Sequence, residues 1–574
     1  MAIIPQNKQW KQPNDGDSLG NIFASYGLDL DKNRGAVAVS NRLKNVFDEG
    51  ADSDLSSPAA RFIDFNSDFW AISSELFRTD AFADDDITNT NNWAQDSTGS
   101  SPDPGATVTD AVVFDGLLLV VDGDDIKSFS GSGNWVSWWK GTRGQTGLDT
   151  GQTFILTVGS NRSLYITDGG NKVYRVQPNG SGGGTISKTG GGTLDFSATS
   201  QLFTCATTTS TRIFYGMEDT AAQNAYIVEW DMSAQSTTPN RIHKMGVKRV
   251  LCLATYNDSP IAILSDGSIK YYNGAAFISW PGAHLPQSKD DYQNDIIHKN
   301  GWDIIDGLPH FLIKPTVDIN ENTITEDTSN YWYYPAGIYC LDPEIGLYCR
   351  YPLTDDAATH YNVANVGALH ARNHANTKFF ASYEVWTSTT TRKNIIACED
   401  RNNSLGTQAW MMLIPFESVR DVIHRLTVVH KQLGTGDSIK LYYARNNPNS
   451  VRVSGSWYDA NTFNTTDSIT GVTTSDYGFI KAGASGYFFS KIENIDISST
   501  VNSITFADSS GASQNDTAVL ELVSLRYMGQ ITNTGTEIDD FAIPNPKRSR
   551  QVWVFIEMQQ AAGNDLQLDY LLTE

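Results

Sequence analysis

The chain has 574 residues and a formal net charge of −23 at pH 7, from 42 Lys and Arg against 65 Asp and Glu. That sign argues against protein classes that hold phosphate backbones or anionic membrane surfaces, because such binding needs a surplus of cations. The aromatic content of 11% and the 47 glycines exclude a disordered chain and suit many short strands joined by tight turns.

Residues 1–58 are polar and contain one short patterned stretch, Gly35–Leu43. We predict that they form an N-terminal arm used in assembly. The opening residues lack the apolar region of a signal peptide, and no run of about 18 apolar residues occurs in the chain. We therefore expect synthesis in a cytoplasm and no membrane insertion.

Residues 59–404 repeat one unit, an apolar strand followed by Asp-Gly and a second strand. Its three best copies are Leu117–Val121 with Ile126–Phe129, Leu164–Thr167 with Val173–Val176, and Ile261–Leu264 with Ile269–Tyr272. Asp-Gly supplies the positive φ that a tight hairpin needs, and such a meander buries both faces only against neighbouring copies. The repeat predicts an irregular β-propeller of about six or seven blades; two stacked sandwiches are the alternative.

Residues 405–574 have longer strands at a different spacing. The candidate strands are Leu426–His430, Ser438–Tyr443, Gly486–Ser490, Ala518–Val523, Val552–Glu557 and Leu566–Leu571, with a short helix over Phe416–His424. Alternation along these strands indicates one buried face each. We predict that the all-β propeller is followed by a C-terminal, jelly-roll-like β-sandwich.

Two segments partly match metal-binding patterns. His370 and His374 have the spacing of a helical zinc pair, but Ala371 stands where the metalloprotease pattern requires Glu, and the segment lies among strands. Asp318–Asn322 begins like a calcium loop, but Thr323 replaces the required Gly and Ser329 the final Glu. We interpret both as structural segments.

Three biased segments could serve ligands. Residues 79–126 contain eleven Asp and no Lys or Arg, including Asp84–Asp86, which fits either a cation site or acidic channel wall, or a set of turns with solvated acids. Gly180–Gly192 lacks the phosphate-loop pattern and reads as a hairpin tip. Lys547–Arg550, a short basic cluster, reads as a solvated loop.

Five scattered cysteines without CxxC spacing argue against a disulfide framework or a zinc site of that type. Together with the absence of a nucleophile elbow, these observations predict no catalytic, cofactor-binding or metal-binding residues, and no enzyme. Paired carboxylates for sugar cleavage stay open in a chain with 65 acids.

The opening of the chain resembles those of virion proteins of tailed bacteriophages. The resemblance rests on Gly16–Phe23, Tyr26–Asp31 and Lys32–Gly35 leading into Val37–Leu43, and on units such as Gly337–Cys349. It covers most of residues 1–400. In short-tailed phages, nozzle or tubular proteins contain propellers and form a ring around the DNA exit channel.

The resemblance implies a structural virion protein of a phage tail, a ring-forming nozzle or hub. It implies a homo-oligomeric ring of about six copies, other tail or portal-adaptor proteins as partners, and passage of DNA without specific binding, which an acidic lumen would favour.

Two other functions are compatible with the sequence. One is a carbohydrate-binding or carbohydrate-degrading propeller, such as a receptor-binding protein or glycosidase. Its aromatic sugar platforms would be drawn from Trp135, Trp138, Trp139, Trp332 and Trp410, although each suits core packing as well. The other is a cytosolic scaffold that binds peptides on a propeller face.

Overall fold

The structure is a computed structural model of the whole chain. It describes residues 2–3, 22–30, 36–48, 55, 57–73, 76–80, 93–95, 104, 108–145, 154–167, 170–184, 186–187, 194–196, 200–233, 238–285, 296–314, 336–343, 346–353, 363–374, 377–386, 392–405, 409–417, 424–444, 450–480, 488–498, 500–510, 514–515, 517–532, 535–543, 551–561 and 563–573.

Five strands open the chain, and they serve both of its large domains. They are β1 (Ala2–Ile3), β2 (Ile22–Tyr26), β3 (Leu28–Asp29), β4 (Val37–Val39) and β5 (Asn41–Asp48). The first four belong to sheets that also contain strands from beyond residue 409, whereas β5 joins the last sheet of the repeat region.

Seven antiparallel sheets of the repeat region follow one another, and we number them blades 1 to 7. Blade 1 comprises β6 (Arg61–Phe65), β7 (Asp68–Ile72), β8 (Leu76–Asp80) and β9 (Ala94–Gln95). Blade 2 comprises β10 (Val108–Phe114), β11 (Leu117–Asp122), β12 (Asp125–Phe129) and β13 (Val136–Ser137). Blade 3 comprises β14 (Leu156–Val158), β15 (Leu164–Thr167), β16 (Lys172–Val176), β17 (Ile186–Ser187) and β18 (Leu194–Asp195). A single π-helical turn, Trp138–Thr142, follows β13.

Blades 4 to 7 repeat the same meander. Blade 4 comprises β19 (Gln201–Thr208), β20 (Ile213–Asp219), β21 (Asn224–Trp230) and β22 (Arg241–Lys244), and blade 5 comprises β23 (Val250–Tyr256), β24 (Ser259–Leu264), β25 (Ser268–Tyr272) and β26 (Phe277–His284). Blade 6 comprises β27 (Trp302–Ile305), β28 (Leu308–Ile313), β29 (Gly337–Asp342) and β30 (Gly346–Pro352). Blade 7 comprises β31 (Val363–His374), β32 (Thr377–Trp386) and β33 (Arg392–Ser404) with β5.

The first strands of the blades touch in a closed ring, from β6 through β10, β14, β19, β23 and β27 to β31 and back to β6. The ring closes because β5 pairs with β33, with Phe47 opposite Ile396, and so supplies the outermost strand of blade 7. Apolar layers between neighbouring blades, such as the one containing Phe69, Phe77 and Phe380, bury both faces of each sheet. This is a seven-bladed β-propeller, as the repeat predicted.

The hairpin between the first two strands of a blade needs residues with positive φ. Asp115 and Gly116 have φ of 51° and 83°, and Asp306 and Gly307 have 52° and 82°. Asp or Asn followed by Gly adopts this left-handed conformation at little cost, so Asp-Gly specifies these tight turns. In the repeat's own pairs, Asp122-Gly123 and Asp266-Gly267 between the second and third strands, only the glycine has positive φ.

The C-terminal domain begins as a β-sandwich. Its strands are β34 (Ala409–Glu417), β35 (Arg425–His430), β36 (Ser438–Ala444), β43 (Arg526–Thr532), β44 (Ile538–Ala542), β45 (Gln551–Gln559) and β46 (Gln567–Thr573). One sheet has the order β3-β4-β46-β35-β44, with β1 also pairing β46, and the other has the order β2-β34-β45-β36-β43. Trp410, Val428, Ile556 and Leu568 share the core between them.

A closed six-stranded barrel is inserted between β36 and β43. It contains β37 (Ser450–Trp457), β38 (Thr462–Thr465), β39 (Tyr477–Ile480), β40 (Phe488–Asp496), β41 (Asn502–Phe506) and β42 (Thr517–Val523) in the order β37-β38-β41-β40-β39-β42. Trp457, Phe463 and Leu520 lie in a core of its own.

The predicted division into three consecutive segments differs from this arrangement. The described strands within residues 1–58 are divided between sandwich and propeller, because β1 to β4 pair in the sandwich and β5 closes blade 7. The sandwich predicted for residues 405–574 is interrupted by the barrel, which takes two of the six candidate strands. The helix predicted from Phe416 is wrong at its start, since Phe416 pairs with Val552 in the sheet.

Candidate functional site

Charged side chains meet at the axis of the propeller, where the first strands of blades 1 to 3 begin. Asp110 of β10 is 1% exposed and accepts from Lys299 Nζ at 2.9 Å, from Arg61 Nη1 at 3.3 Å and from Asn300 Nδ2 at 3.3 Å. The backbone N–H groups of Ala111 and Leu156 donate to the same carboxylate at 2.9 and 3.0 Å. We call Arg61, Asp110, Lys299 and Asn300 the axial cluster.

The segment before β27 carries the axial cluster across the propeller. Lys299 Nζ also donates to the carbonyl of Phe154, and Asn300 Nδ2 donates to the carbonyl of Ala60 at 2.9 Å. The N–H of Leu369 donates to the carbonyl of Asn300 at 3.1 Å. This segment therefore ties blades 1, 2, 3 and 7 to blade 6.

The charges of the axial cluster are paired with one another, and the carboxylate of Asp110 accepts hydrogen bonds only from groups of the protein that the structure describes. Burial acts to raise the pKa of Asp110, but attraction to Lys299 and Arg61 outweighs it and lowers that pKa. Burial lowers the pKa of the neighbouring His298 to about 3, so its imidazole is neutral at pH 7. Because five donors surround Asp110, its carboxylate is occupied by the protein and serves the fold.

A second charged group lies further along the inner strands, and it is more open to solvent. His370 of β31 lies between Asp303, 3.2 Å from its Nδ1, and Asp64, 4.0 Å from its Nε2. Arg372 Nε donates to Asp64 at 3.0 Å and its guanidinium lies over the ring of Phe69. Burial acts to lower the pKa of His370, but its hydrogen bonds with Asp303 and Asp64 outweigh this and raise it.

The two candidate metal segments have different outcomes. His370 and His374 lie on strand β31, where positions four apart are separated by about 13 Å and cannot bind one ion as a helical pair would. Asp318–Asn322 lies outside the described residues. Within the described ranges, no three His, Cys, Asp or Glu side chains are grouped to hold a metal ion.

The described acids of the Asp-rich stretch serve turns and ion pairs. Asp115 accepts from the N–H groups of residues 179, 180, 181 and 183 at 2.7 to 3.1 Å, and so folds the Gly180 hairpin tip of the next blade. Asp122 pairs with Lys127 at 2.6 Å and Asp124 with Lys140 at 2.7 Å. Asp84–Asp86 and Lys547–Arg550 lie outside the described residues.

The tryptophans considered as sugar platforms are packed inside the protein. Trp135, Trp138, Trp139 and Trp410 are 1 to 2% exposed, which leaves no ring face for a sugar, and Trp332 lies outside the described residues. All five cysteines are free and buried, and burial raises the pKa of Cys205 to about 12, so its thiol is not a nucleophile at pH 7.

A buried arginine joins the propeller to the sandwich. Arg350 of β30 is 1% exposed and its Nη2 lies 3.0 Å from Asp29 of β3 and 3.1 Å from Asp306 of blade 6. Its Nη1 donates to His310 Nε2 at 3.2 Å, and His310 Nδ1 lies 2.9 Å from the carbonyl of Leu308. Burial lowers the pKa of His310 to about 3, so the neutral ring can accept from Arg350.

Sequence reasoning missed both charged networks. Asp110 and Arg350 are lone charges within apolar strands, Val108–Phe114 and Gly346–Pro352, and a charge at such a position signals a buried partner. The identity of the partners could not be read, because Lys299 and Asp29 lie 189 and 321 residues away.

Comparisons with known proteins bear on fold alone. No family model and no curated protein matches the chain. Among solved structures, the computationally designed Ika8 protein is similar at 13% identity and a TM-score of 0.32, covering 62% of this chain and 99% of its own.

Two further solved structures are similar to a comparable extent. The N-terminal domain of Nup159 has 11% identity and a TM-score of 0.33, covering 63% of this chain and 96% of its own. BBS1N, solved in complex with ARL6DN, has 9% identity and a TM-score of 0.34, covering 64% of this chain and 100% of its own. At these TM-scores the propeller assignment depends on the strand pairing itself.

In the described part of the chain, no helix has the length and apolar character needed to cross a bilayer.

Proposed function

We propose that the protein is a structural virion protein of a bacteriophage tail, a ring-forming nozzle or hub around the DNA exit channel. The observation that carries the proposal is the way the N-terminal strands join the two large domains. Strands β1 to β4 complete the sandwich and β5 completes the propeller, so the described N-terminal strands lock both domains into one unit.

Two domains locked in this way suit a structural protein that must keep its shape within an assembly. Arg350 and Asp29 add a buried ion pair across the joint, and Leu28, Cys340 and Tyr348 share one apolar core there. Domains joined only by a flexible linker move relative to each other, whereas a large apolar contact restrains that motion.

In this proposal the DNA channel lies between copies, and the axial cluster supports that arrangement. Lys299, just before blade 6, contacts Asp110 of blade 2 at 2.9 Å across the inner strands, so a duplex whose major groove alone is about 12 Å wide does not fit between them. A ring of several copies supplies a wider opening, and a chain of net charge −23 does not retain phosphate backbones.

The test is the mass of the purified protein in solution and its copy number in any phage particle that contains it. We expect a closed ring of about six copies, in solution or in the particle. A stable monomer that is absent from every particle would contradict the proposal.

A further inference from the structure

An exposed basic edge strand stands out on this acidic chain. Strand β22 is the outermost strand of blade 4, and among the described residues it pairs only with β21. Arg241 and Lys244 are exposed, and Ile242 between them is 48% exposed. An open strand edge with an exposed β-branched side chain is a template for another strand.

An exposed acidic edge strand lies on the other domain. Strand β44 ends its sheet of the sandwich and, among the described residues, pairs only with β35. Glu537 precedes it and is exposed, Ile538 is 58% exposed, and the side chain of Asp540 is 40% exposed even though it contacts Arg425. The two edges thus have opposite charge, and each carries one exposed isoleucine.

We propose that β22 of one copy pairs edge to edge with β44 of the next copy. The inference rests on the proposed ring, and it names the contact that would build it. Pairing β22 with itself sets cations opposite cations, and pairing β44 with itself sets acids opposite acids; like charges directly opposite each other destabilise a strand pair. The charge pattern therefore selects the contact between unlike edges.

A contact between two different surfaces has a consequence for symmetry. It leaves one unsatisfied edge at each end of any open assembly, and it closes into a ring when the rotation between copies allows. A self-complementary contact would instead stop at a dimer. The β22–β44 contact is therefore of the kind that a nozzle ring requires.

Charge reversal on each edge tests the contact with the full-length chain. One variant carries Arg241→Glu and Lys244→Glu, and the other carries Glu537→Lys and Asp540→Lys. Each variant alone presents like charges at the contact, so we expect association at least about tenfold weaker than in the wild type. Mixed one to one, the variants again present opposite charges at every contact, and the mixture should recover the oligomer.

The control carries Lys140→Glu and Lys172→Glu, two lysines with 40% exposed side chains on blades 2 and 3. It changes the net charge as much as the first variant and should assemble like the wild type. Native mass spectrometry gives the oligomer, and thermal unfolding shows that each variant is folded.

The outcomes separate the two proposals. If the wild type forms rings and both variants form them equally well, the β22–β44 contact is wrong and the proposed function stands. A first variant that keeps its rings but loses DNA binding assigns β22 to nucleic acid and also overturns the contact. Wild-type protein that is monomeric in solution and absent from every particle overturns the proposed function, and the contact with it.

Discussion

Arg350 of the propeller and Asp29 of the sandwich form an ion pair with 3.0 Å between Nη2 and Oδ2, and their side chains are 2% and 8% exposed. Asp306, the neutral ring of His310 and the ring of Tyr351 also contact the guanidinium. A charge taken this far out of water is stable only while its partners remain, so this joint between the domains is sensitive to any loss of a partner.

Replacing Arg350 with Met should therefore destabilise the protein strongly. Asp29 is left buried without its cation, and breaking a buried pair costs about 3–5 kcal/mol. Urea unfolding followed by tryptophan fluorescence measures the loss. The double variant with Asp29→Leu removes both charges and should recover much of it; a double variant as unstable as the single one would contradict the role given to the pair.

Replacing Lys299 with Met tests the axial cluster in the same way. Asp110 would keep Arg61 and Asn300 but lose its closest cation, and we expect a loss of about 3 kcal/mol or more. Lys140→Met is the matched control, because it removes an exposed Lys–Asp pair that contributes little. Equal unfolding midpoints for the two variants would show that the axial pair is not buried as described.

Lowering the pH should reduce the free energy of unfolding at pH values well above those at which the carboxylates titrate. His298 and His310 have folded pKa values of about 3, whereas an unfolded histidine titrates near 6.5. Between these values the unfolded chain binds a proton that the folded chain refuses, so stability falls as pH drops, by roughly 1.4 kcal/mol per pH unit for each histidine.

Urea midpoints measured from pH 7 to pH 4 show this slope. The variant His310→Gln removes one of the two histidines whose folded pKa is about 3 and should flatten the slope by roughly 1.4 kcal/mol per pH unit. His370→Gln is the informative comparison, because the pKa of His370 is raised and its stabilising contribution is lost as pH rises. A slope unchanged by His310→Gln would contradict the neutral ring beside Arg350.

The inserted barrel should be removable. It has its own core, and it leaves and rejoins the sandwich at neighbouring positions, since Tyr443 pairs with Arg526. Replacing residues 450–523 with a short Gly-Ser linker should leave propeller and sandwich folded. Tyr442 and Phe555 lose the covering rings of Tyr477 and Phe489, so we expect a modest loss of about 1–3 kcal/mol.

Circular dichroism and a thermal melt check this deletion. A matched deletion of residues 477–496 removes only β39 and β40, opens the barrel and should give aggregated protein. If both deletions aggregate, the barrel is part of the sandwich's folding unit and its separate core has been misjudged.

The sequence predicts those features of the fold that are specified by residues close together in the chain. The Asp-Gly frame of Leu117–Phe129 and Ile261–Tyr272 indicates strand pairs that the structure contains, because a short turn of two or three residues and its flanking strands are specified within a dozen residues. The repeat then leads to the propeller, since a meander of this kind buries its faces only against copies of itself.

Long-range pairing was beyond that pattern. Nothing near β5 indicates that Arg42 will contact Asp400, 358 residues away. Gly486–Ser490 and Ala518–Val523 look like sandwich strands, because a barrel strand and a sandwich strand share the same alternation; only their partners differ. Arg241–Arg249, which holds four Lys or Arg, was passed over as a basic segment, although a count of charges would have found it.

The position of the N-terminal strands also sets the order of events during translation. β5 emerges from the ribosome long before β33, its partner in blade 7, and β1 long before β46, where Ala2 pairs with Thr573. The propeller can therefore close once residues 392–404 have emerged, whereas the sandwich stays open until residues 567–573 have followed. A product of translation that stops before β46 has a closed propeller but no finished sandwich with which to enter a ring.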